Sequence, residues 1–440
     1  MNIKLNNIAK VAEAEIRVDG VSVIGGYNDT GKSTVLKSIY MAANLFRNAE
    51  QKVREERRNS LFSAVANQAS YFESRTQAFG HSMFVYDFAD AFSKAWEKSG
   101  DGSFETFRKT FLECLANSTE SSGQAFGDEK EVDRYLRPVF ERVEEVLKRP
   151  RETYMRYIGD MYIKNVFSSQ MNHMNSGAKA KIEVSSENTT DFLEVEDNKI
   201  VNMSYRSVLK PDAIYLPTYN VLDMINDHAP WIRIRSRNRY SMEDELGRYL
   251  VSERGNEQTF EAYSEREANI SAIKDILKEV AHGELQTEEN GKLTFKDDGL
   301  DKTIDIGNVA SGMKTFLVIQ KLVENGYLKR NDILLIDEPE TNLHPEWHLK
   351  FAEIIVLMYK HMGISTVANS HSPYFIRAIE VKLADHGMKR NGNFYLMEKR
   401  ENGRCYLNNV TDQTDALYRK LYMPMNKITA AFGGRTEKQI

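Results

Sequence analysis

Cysteine is nearly missing from this chain: 440 residues carry only Cys114 and Cys405. Two cysteines exclude a disulfide framework and a cysteine-built zinc cluster. No apolar run approaches the ~18 residues of a membrane-spanning helix, and Met1-Asn2-Ile3-Lys4 has no secretory character. Internal repeats, low-complexity tracts and sustained heptads are absent too, which excludes long coiled-coil arms. Charge of one sign is modest. A net charge of −5 argues against strong nonspecific binding to nucleic acid, although a local patch escapes such an average. The expectation is a soluble, cytoplasmic chain with no membrane partner. Hydrophobic residues make up 41%, enough for a large core in roughly two to three domain-sized units.

What is present is led by Gly26-Tyr27-Asn28-Asp29-Thr30-Gly31-Lys32-Ser33, which fits the phosphate-loop pattern G-x-x-x-x-G-K-[ST]. The apolar run Val21-Ser22-Val23-Ile24 predicts a buried strand leading into it. Val35, Leu36, Ile39, Tyr40 and Ala43 recur at helical spacing behind it. The glycines let backbone N–H groups approach phosphate oxygens, and the helix start adds its positive dipole end. In this pattern Asn28, Asp29, Thr30 and Thr34 belong to the loop and its helix start. Lys32 reaches the β/γ-phosphates and the Ser33 hydroxyl takes Mg²⁺.

Ile333-Leu334-Leu335-Ile336 reads as a strand buried on both faces, ending in Asp337-Glu338-Pro339-Glu340. Ligands of open α/β sheets bind at that end of the strands. Asp337 is therefore expected to hold Mg²⁺, and Glu338 to orient and deprotonate an attacking water. Ser311-Gly312 opens a further helical run, where unpaired N–H groups form an anion site. The strand-like Ile364–Ala368 ends in Asn369-Ser370-His371-Ser372-Pro373.

The order of phosphate loop, Ser-Gly signature, hydrophobic Asp-Glu and histidine resembles ABC-type ATPases, the group of transporter motors, SMC and RecF proteins, and OLD nucleases. The finer wording is Ser311–Lys314, Asp337–Glu346 and His371–Phe375. It resembles the OLD-like ATPases found in Septu, PARIS and retron-associated antiphage systems. The resemblance covers residues 1–45 and about 300–380 well. It implies a P-loop ABC-ATPase core, a mostly parallel sheet flanked by helices, with an inserted helical lobe. It implies ATP and Mg²⁺ as cofactors and a head-to-tail homodimer or higher even assembly. Lys32, Ser33, Asp337, Glu338 and His371 would serve one ATP, and Ser311 and Gly312 the partner's. His371 would contact the γ-phosphate. The family's Mg²⁺-sensing glutamine is assigned to Gln170. Transporter heads carry Leu-Ser-Gly-Gly-Gln, whereas Met313 and Lys314 stand here. Lys314 is expected near the partner's phosphates, as an arginine finger would be. About 70 residues follow His371, too few for the nuclease domain of OLD nucleases, so cutting is expected of a separate nuclease or toxin effector.

The motif positions predict an organisation. Residues 1–45 carry the N-terminal half of the core and 46–165 a helical lobe. Residues 166–227 form a strand-rich return, 228–300 a polar insertion, 301–380 the C-terminal half, and 381–440 a hairpin and helix. In the insertion, Arg233, Arg235, Arg237 and Arg239 alternate. As a strand they would share one face, suited to a nucleic-acid backbone or an acidic protein, or serving only as a charged edge. His344 and His348 are four apart, but Pro345 stands where H-E-x-x-H needs glutamate, so Pro at a helix start is the better account. An ATP-driven switch in a defence module, a DNA-repair or chromosome-type clamp, and a transporter motor all remain open, as does a nonhydrolysing scaffold.

Overall fold

The computed structural model describes residues 1–76, 88–89, 91–96, 103–118, 129–172, 177–186, 189–206, 211–218, 221–227, 240–252, 264, 271, 273, 276–277, 279–288 and 292–424. The Arg-rich ribbon at 231–239 lies outside them. The chain divides into two units, one of residues 1–47 with 158–440 and the other of residues 48–157.

The larger unit is an α/β fold, a large mixed sheet flanked by helices. β1 (Asn2–Ile8) and β2 (Val11–Arg17) pair antiparallel, with Ile3, Leu5, Ala14 and Ile16 facing inward at alternate positions. β3 (Val21–Gly25) is buried along its whole length, as a parallel strand covered on both faces must be. It runs through the phosphate loop into α1 (Lys32–Phe46). The smaller unit holds α2 (Ala49–Thr76), α3 (Phe104–Ser118) and α4 (Glu129–Lys148); α5 (Arg151–Phe167) returns the chain to the larger unit. Next come β4 (Ala180–Ser186), β5 (Thr189–Glu196), β6 (Lys199–Ser204) and β7 (Ala213–Leu216), then α6 (Val221–Asp227) and α7 (Met242–Val251). β8 (Gly283–Thr287), β9 (Leu293–Asp297) and β10 (Ile304–Asp305) form a small separate sheet. α8 (Ser311–Glu324), β11 (Ile333–Asp337), α9 (Pro345–Met362), β12 (Ser365–Ser370) and α10 (Pro373–Asp385) come next. β13 (Gly392–Lys399) and β14 (Cys405–Asn409) follow, and residues 414–424 are helical.

Among the described residues eleven strands form the main sheet, in the order β6-β5-β4-β1-β2-β14-β13-β3-β12-β11-β7. From β13 to β7 every pairing is parallel. The mostly parallel sheet expected from the sequence describes only this half. From β6 to β2 the pairings are antiparallel: short turns join β1 to β2, β4 to β5 and β5 to β6, while β4 pairs with β1 across a long stretch of chain. The C-terminal hairpin is not an appendage. β13 lies against β3 and carries its register along the phosphate-loop strand.

The region 228–300, expected to be a polar insertion, supplies Leu246, Leu250, Ile273, Leu277, Leu285, Leu293 and Phe295 to the main core. Its apolar residues are spaced among charges, so its average composition hides one buried face. The smaller unit has its own core of Leu61, Val65, Phe88, Phe92, Trp96, Phe107, Phe111, Leu136 and Val143, rich in edge-to-face aromatic pairs. Among the described residues no helix is long and apolar enough to cross a membrane.

Candidate active site

Parallel register brings the site together. Gly25 at the end of β3 is level with Ser370 of β12, Asn369 is level with Asp337 of β11, and Ile336 with Leu216 of β7. The phosphate loop, Asp337 and the turn containing His371 therefore emerge side by side at the carboxyl ends of the strands, although more than 300 residues separate the first from the others.

The loop turns sharply before α1. Gly31 caps the helix with φ 91°, a left-handed conformation that costs glycine nothing and L side chains much more. Asn28 and Asp29 are exposed, and Asp29 pairs with Lys10. The buried Thr30 donates its hydroxyl to the Tyr27 carbonyl at 2.8 Å. Lys32 is only 4% exposed, and its Nζ donates to the Gly26 and Tyr27 carbonyls, both at 2.9 Å. Its ammonium is thus folded back along the loop. Burial lowers its pKa from the ordinary lysine value, while Glu338, Glu340 and Asp337 pull the other way. Thr34 lies in the first turn of α1 and accepts the Ser38 hydroxyl at its carbonyl, 2.7 Å.

Asp337 is held from three sides. Ser33 Oγ donates to its Oδ1 at 3.0 Å, Asn369 Nδ2 donates to the same oxygen at 2.5 Å, and the Tyr215 hydroxyl of β7 donates to Oδ2 at 2.7 Å. A serine hydroxyl and a carboxylate at this spacing are hard oxygen donors of the kind Mg²⁺ takes alongside phosphate oxygens and water. The donor set fits that ion.

Glu338 follows in a left-handed conformation, φ 51°, unusual for a residue with a side chain. Asn369 stabilises it, accepting the Glu338 N–H at Oδ1 (2.8 Å) and at its carbonyl (3.2 Å). His371 Nδ1 lies 3.6 Å from Glu338 Oε1 and 3.2 Å from Glu340 Oε1. The chain thus gathers Lys32, Ser33, Asp337, Glu338 and His371 at the carboxyl ends of β3, β11 and β12.

The other expected residues lie elsewhere. Ser311 is exposed in the first turn of α8, whose N-cap Ala310 offers no side-chain cap. Gly312 is buried, and a Cβ there would sit 2.6 Å from the Asn342 carbonyl, so the helix is pressed against the turn after Glu340. Among the described residues no side-chain hydrogen bond joins either to the phosphate loop. Lys314 departs from the sequence reading. It is 3% exposed, and its Nζ bonds Asp223 of α6 at 2.6 Å, so it ties two helices of one chain instead of presenting a charge outward. The reason is periodicity: Lys314 stands three and four residues before the buried Leu317 and Val318 and so shares their inward face of α8. Gln170 is exposed in the turn after α5, and among the described residues no hydrogen bond joins its side chain to Ser33 or Asp337. Tyr215, Asn369 and Glu340 were missed as site residues. Only Glu340 had a local signal, a carboxylate inside the turn after a buried strand. His344 caps α9, accepting the Glu346 N–H at 3.3 Å, with Pro345 in the first turn.

A family model described as AAA ATPase domain matches residues 1–376. The chain belongs to the AAA ATPase domain family. The phosphate loop, Asp337 and His371 all fall inside the matched span of this AAA ATPase domain, whereas β13 and β14 lie beyond it. Among solved structures, the AAA ATPase chain is similar to the SMC head domain from Thermotoga maritima. The two are 12% identical, with 93% of this chain and 98% of that one covered and a TM-score of 0.37. It is likewise similar to an SMC head bound to the C-winged helix domain of ScpA, at 9% identity over 94% and 98%, TM-score 0.39. A third is cbiO1 from Clostridium perfringens, part of the ABC transporter complex cbiONQ, at 14% identity over 58% and 78%, TM-score 0.26. No curated protein matches the chain.

Proposed function

We propose that this AAA ATPase-family chain binds Mg²⁺·ATP on the Gly26–Ser33 loop and hydrolyses the γ-phosphate. The observation that carries the reading is the junction of Ser33, Asp337 and Glu338. A serine hydroxyl 3.0 Å from a clamped carboxylate is followed directly by a glutamate held in a strained backbone conformation beside His371. Such strain persists where the surroundings enforce it, and it concentrates at working sites. Lys32 and the loop N–H groups take the β/γ-phosphates, Ser33 and Asp337 hold Mg²⁺, Glu338 deprotonates the attacking water, and His371 meets the γ-phosphate. Mg²⁺ held by Ser33 and Asp337 would supply neutralisation of the charge that develops on the phosphoryl group.

The exposed Ser311 at an uncapped helix start supports a head-to-tail dimer in which Ser311 and Gly312 complete the partner's site. The wording of Asp337–Glu346 and His371–Phe375 supports an ATP-driven switch in antiphage defence, acting through a separate effector. The alternating Arg233, Arg235, Arg237 and Arg239 support a second reading, an ATP-dependent DNA clamp. One experiment separates them. Tagged Glu338→Gln, which retains ATP, is expressed in the native host and everything that co-purifies is identified. A stoichiometric nuclease or toxin-like protein is the result the switch reading expects. Nucleic acid without such a protein selects the clamp. Wild-type protein that fails to release phosphate from ATP, alone and in its complexes, contradicts hydrolysis itself.

A further inference from the structure

Glu340 is 7% exposed, and its Oε1 gathers donors from one short segment. Ser370 Oγ donates to it at 2.7 Å, the His371 N–H at 2.8 Å and the Ser372 N–H at 3.1 Å. His371 Nδ1 stands 3.2 Å from the same oxygen, nearer than its 3.6 Å from Glu338. The carboxylate thus bonds the backbone on both sides of the His371 side chain and also faces the ring. An ionised carboxylate only accepts, so a ring nitrogen that faces one gains from the contact when it is the nitrogen carrying hydrogen.

We infer that Glu340 is the positioning residue for His371: it ties the β12–α10 turn to the end of β11 and fixes the ring with Nδ1–H toward the protein. Nε2, on the other side of the imidazole, is left for the nucleotide. Glu338 is thereby spared as a hydrogen-bond partner and keeps its oxygens for water. This rests on the proposed ATPase reading only where it concerns turnover. The tautomer does not depend on it. A carboxylate that sets which nitrogen of a histidine is free is a known way of orienting imidazole.

Two measurements test the assignment. In ¹⁵N-histidine-labelled protein without nucleotide, long-range ¹H–¹⁵N correlation should show His371 protonated at Nδ1, identified by its loss in His371→Ala. In Glu340→Gln the amide still accepts the backbone N–H groups, but the Nδ1–H signal should shift or vanish. Its kcat for ATP should fall about 10- to 100-fold, with KM and nucleotide affinity within about threefold, the range expected for misplacing a group that acts in the transition state. In a His371→Ala background the same substitution should cost less than about threefold, because the effect runs through the ring. A His371 protonated at Nε2 alone overturns the inference, even if Glu340→Gln does not fold. So does a Glu340→Gln enzyme with wild-type kcat, or an undiminished loss in the His371→Ala background. Wild-type protein without ATP turnover would sink the ATPase reading and leave the tautomer result to judge Glu340.

Discussion

At the scale of single residues, the site is governed by how carboxylates are held. Asp337 receives three donors, and the Tyr215 hydroxyl is one whose removal leaves the ring in place. Tyr215→Phe should cost about 1.5–3 kcal/mol in whatever depends on that carboxylate's orientation, the usual worth of a hydrogen bond to a charged group. The readout is the Mg²⁺ concentration needed for half-maximal ATP turnover, expected to rise roughly 10-fold or more; an unchanged Mg²⁺ dependence would contradict the clamp. Asp332 behaves differently. It accepts N–H groups from Asp212 and Lys329, each at 2.9 Å, yet burial raises its pKa from 3.8 to about 6. A carboxyl raised in the folded state gives its full stability below the unfolded value and loses it as pH climbs through the folded value. Wild type should therefore lose stability relative to Asp332→Asn between about pH 4 and 6, by at most roughly 3 kcal/mol for ~2 units at 1.36 kcal/mol each. Urea unfolding across that range checks it, and parallel curves would count against it. Residues with a fixed local pattern, Lys32, Ser33, Asp337 and Glu338, are legible in sequence. Tyr215 and Asn369 are not, because their roles arise only when β7 and β12 flank β11.

At the scale of elements, a strand buried on both faces announces itself as an unbroken apolar run, which is why β3 and β11 can be read directly from the chain. Their neighbours in the sheet cannot, since pairing order is set by contacts between distant segments. The same blindness hid the buried face of α7 and the small β8–β10 sheet behind a polar composition. It also hid the inward turn of Lys314 on α8. The start of α8 gives a sharp mechanical test. Gly312→Ala would drive a Cβ to 2.6 Å from the Asn342 carbonyl, a backbone atom with little room to retreat. Overpacking of this kind costs about 1–3 kcal/mol, and it should push the turn after Glu340 away from its place. Thermal unfolding should show the loss. A variant as stable as wild type would mean that α8 and this turn are not pressed together.

At the scale of the molecule, two units each carry their own core. Phe92 lies fully buried among Phe88, Trp96, Phe107 and Phe111 of the smaller unit. Phe92→Ala should destabilise that unit by about 3–5 kcal/mol. Hydrogen exchange resolved by peptide should show faster exchange in α3 and α4 while β3, β11 and β12 stay protected; uniform acceleration in both units would contradict separate cores. The larger unit brings the phosphate loop, Asp337, Glu338 and His371 together at the carboxyl ends of its parallel strands, and Ser311 is exposed in the first turn of α8. In the proposed head-to-tail dimer, Ser311 of a second copy would complete this site. The most direct test is the mass of Glu338→Gln in solution by light scattering, with and without Mg²⁺·ATP. The account predicts a rise from 50.6 kDa to about twice that on adding Mg²⁺·ATP, abolished by Lys32→Ala. A mass that ATP leaves unchanged would contradict it.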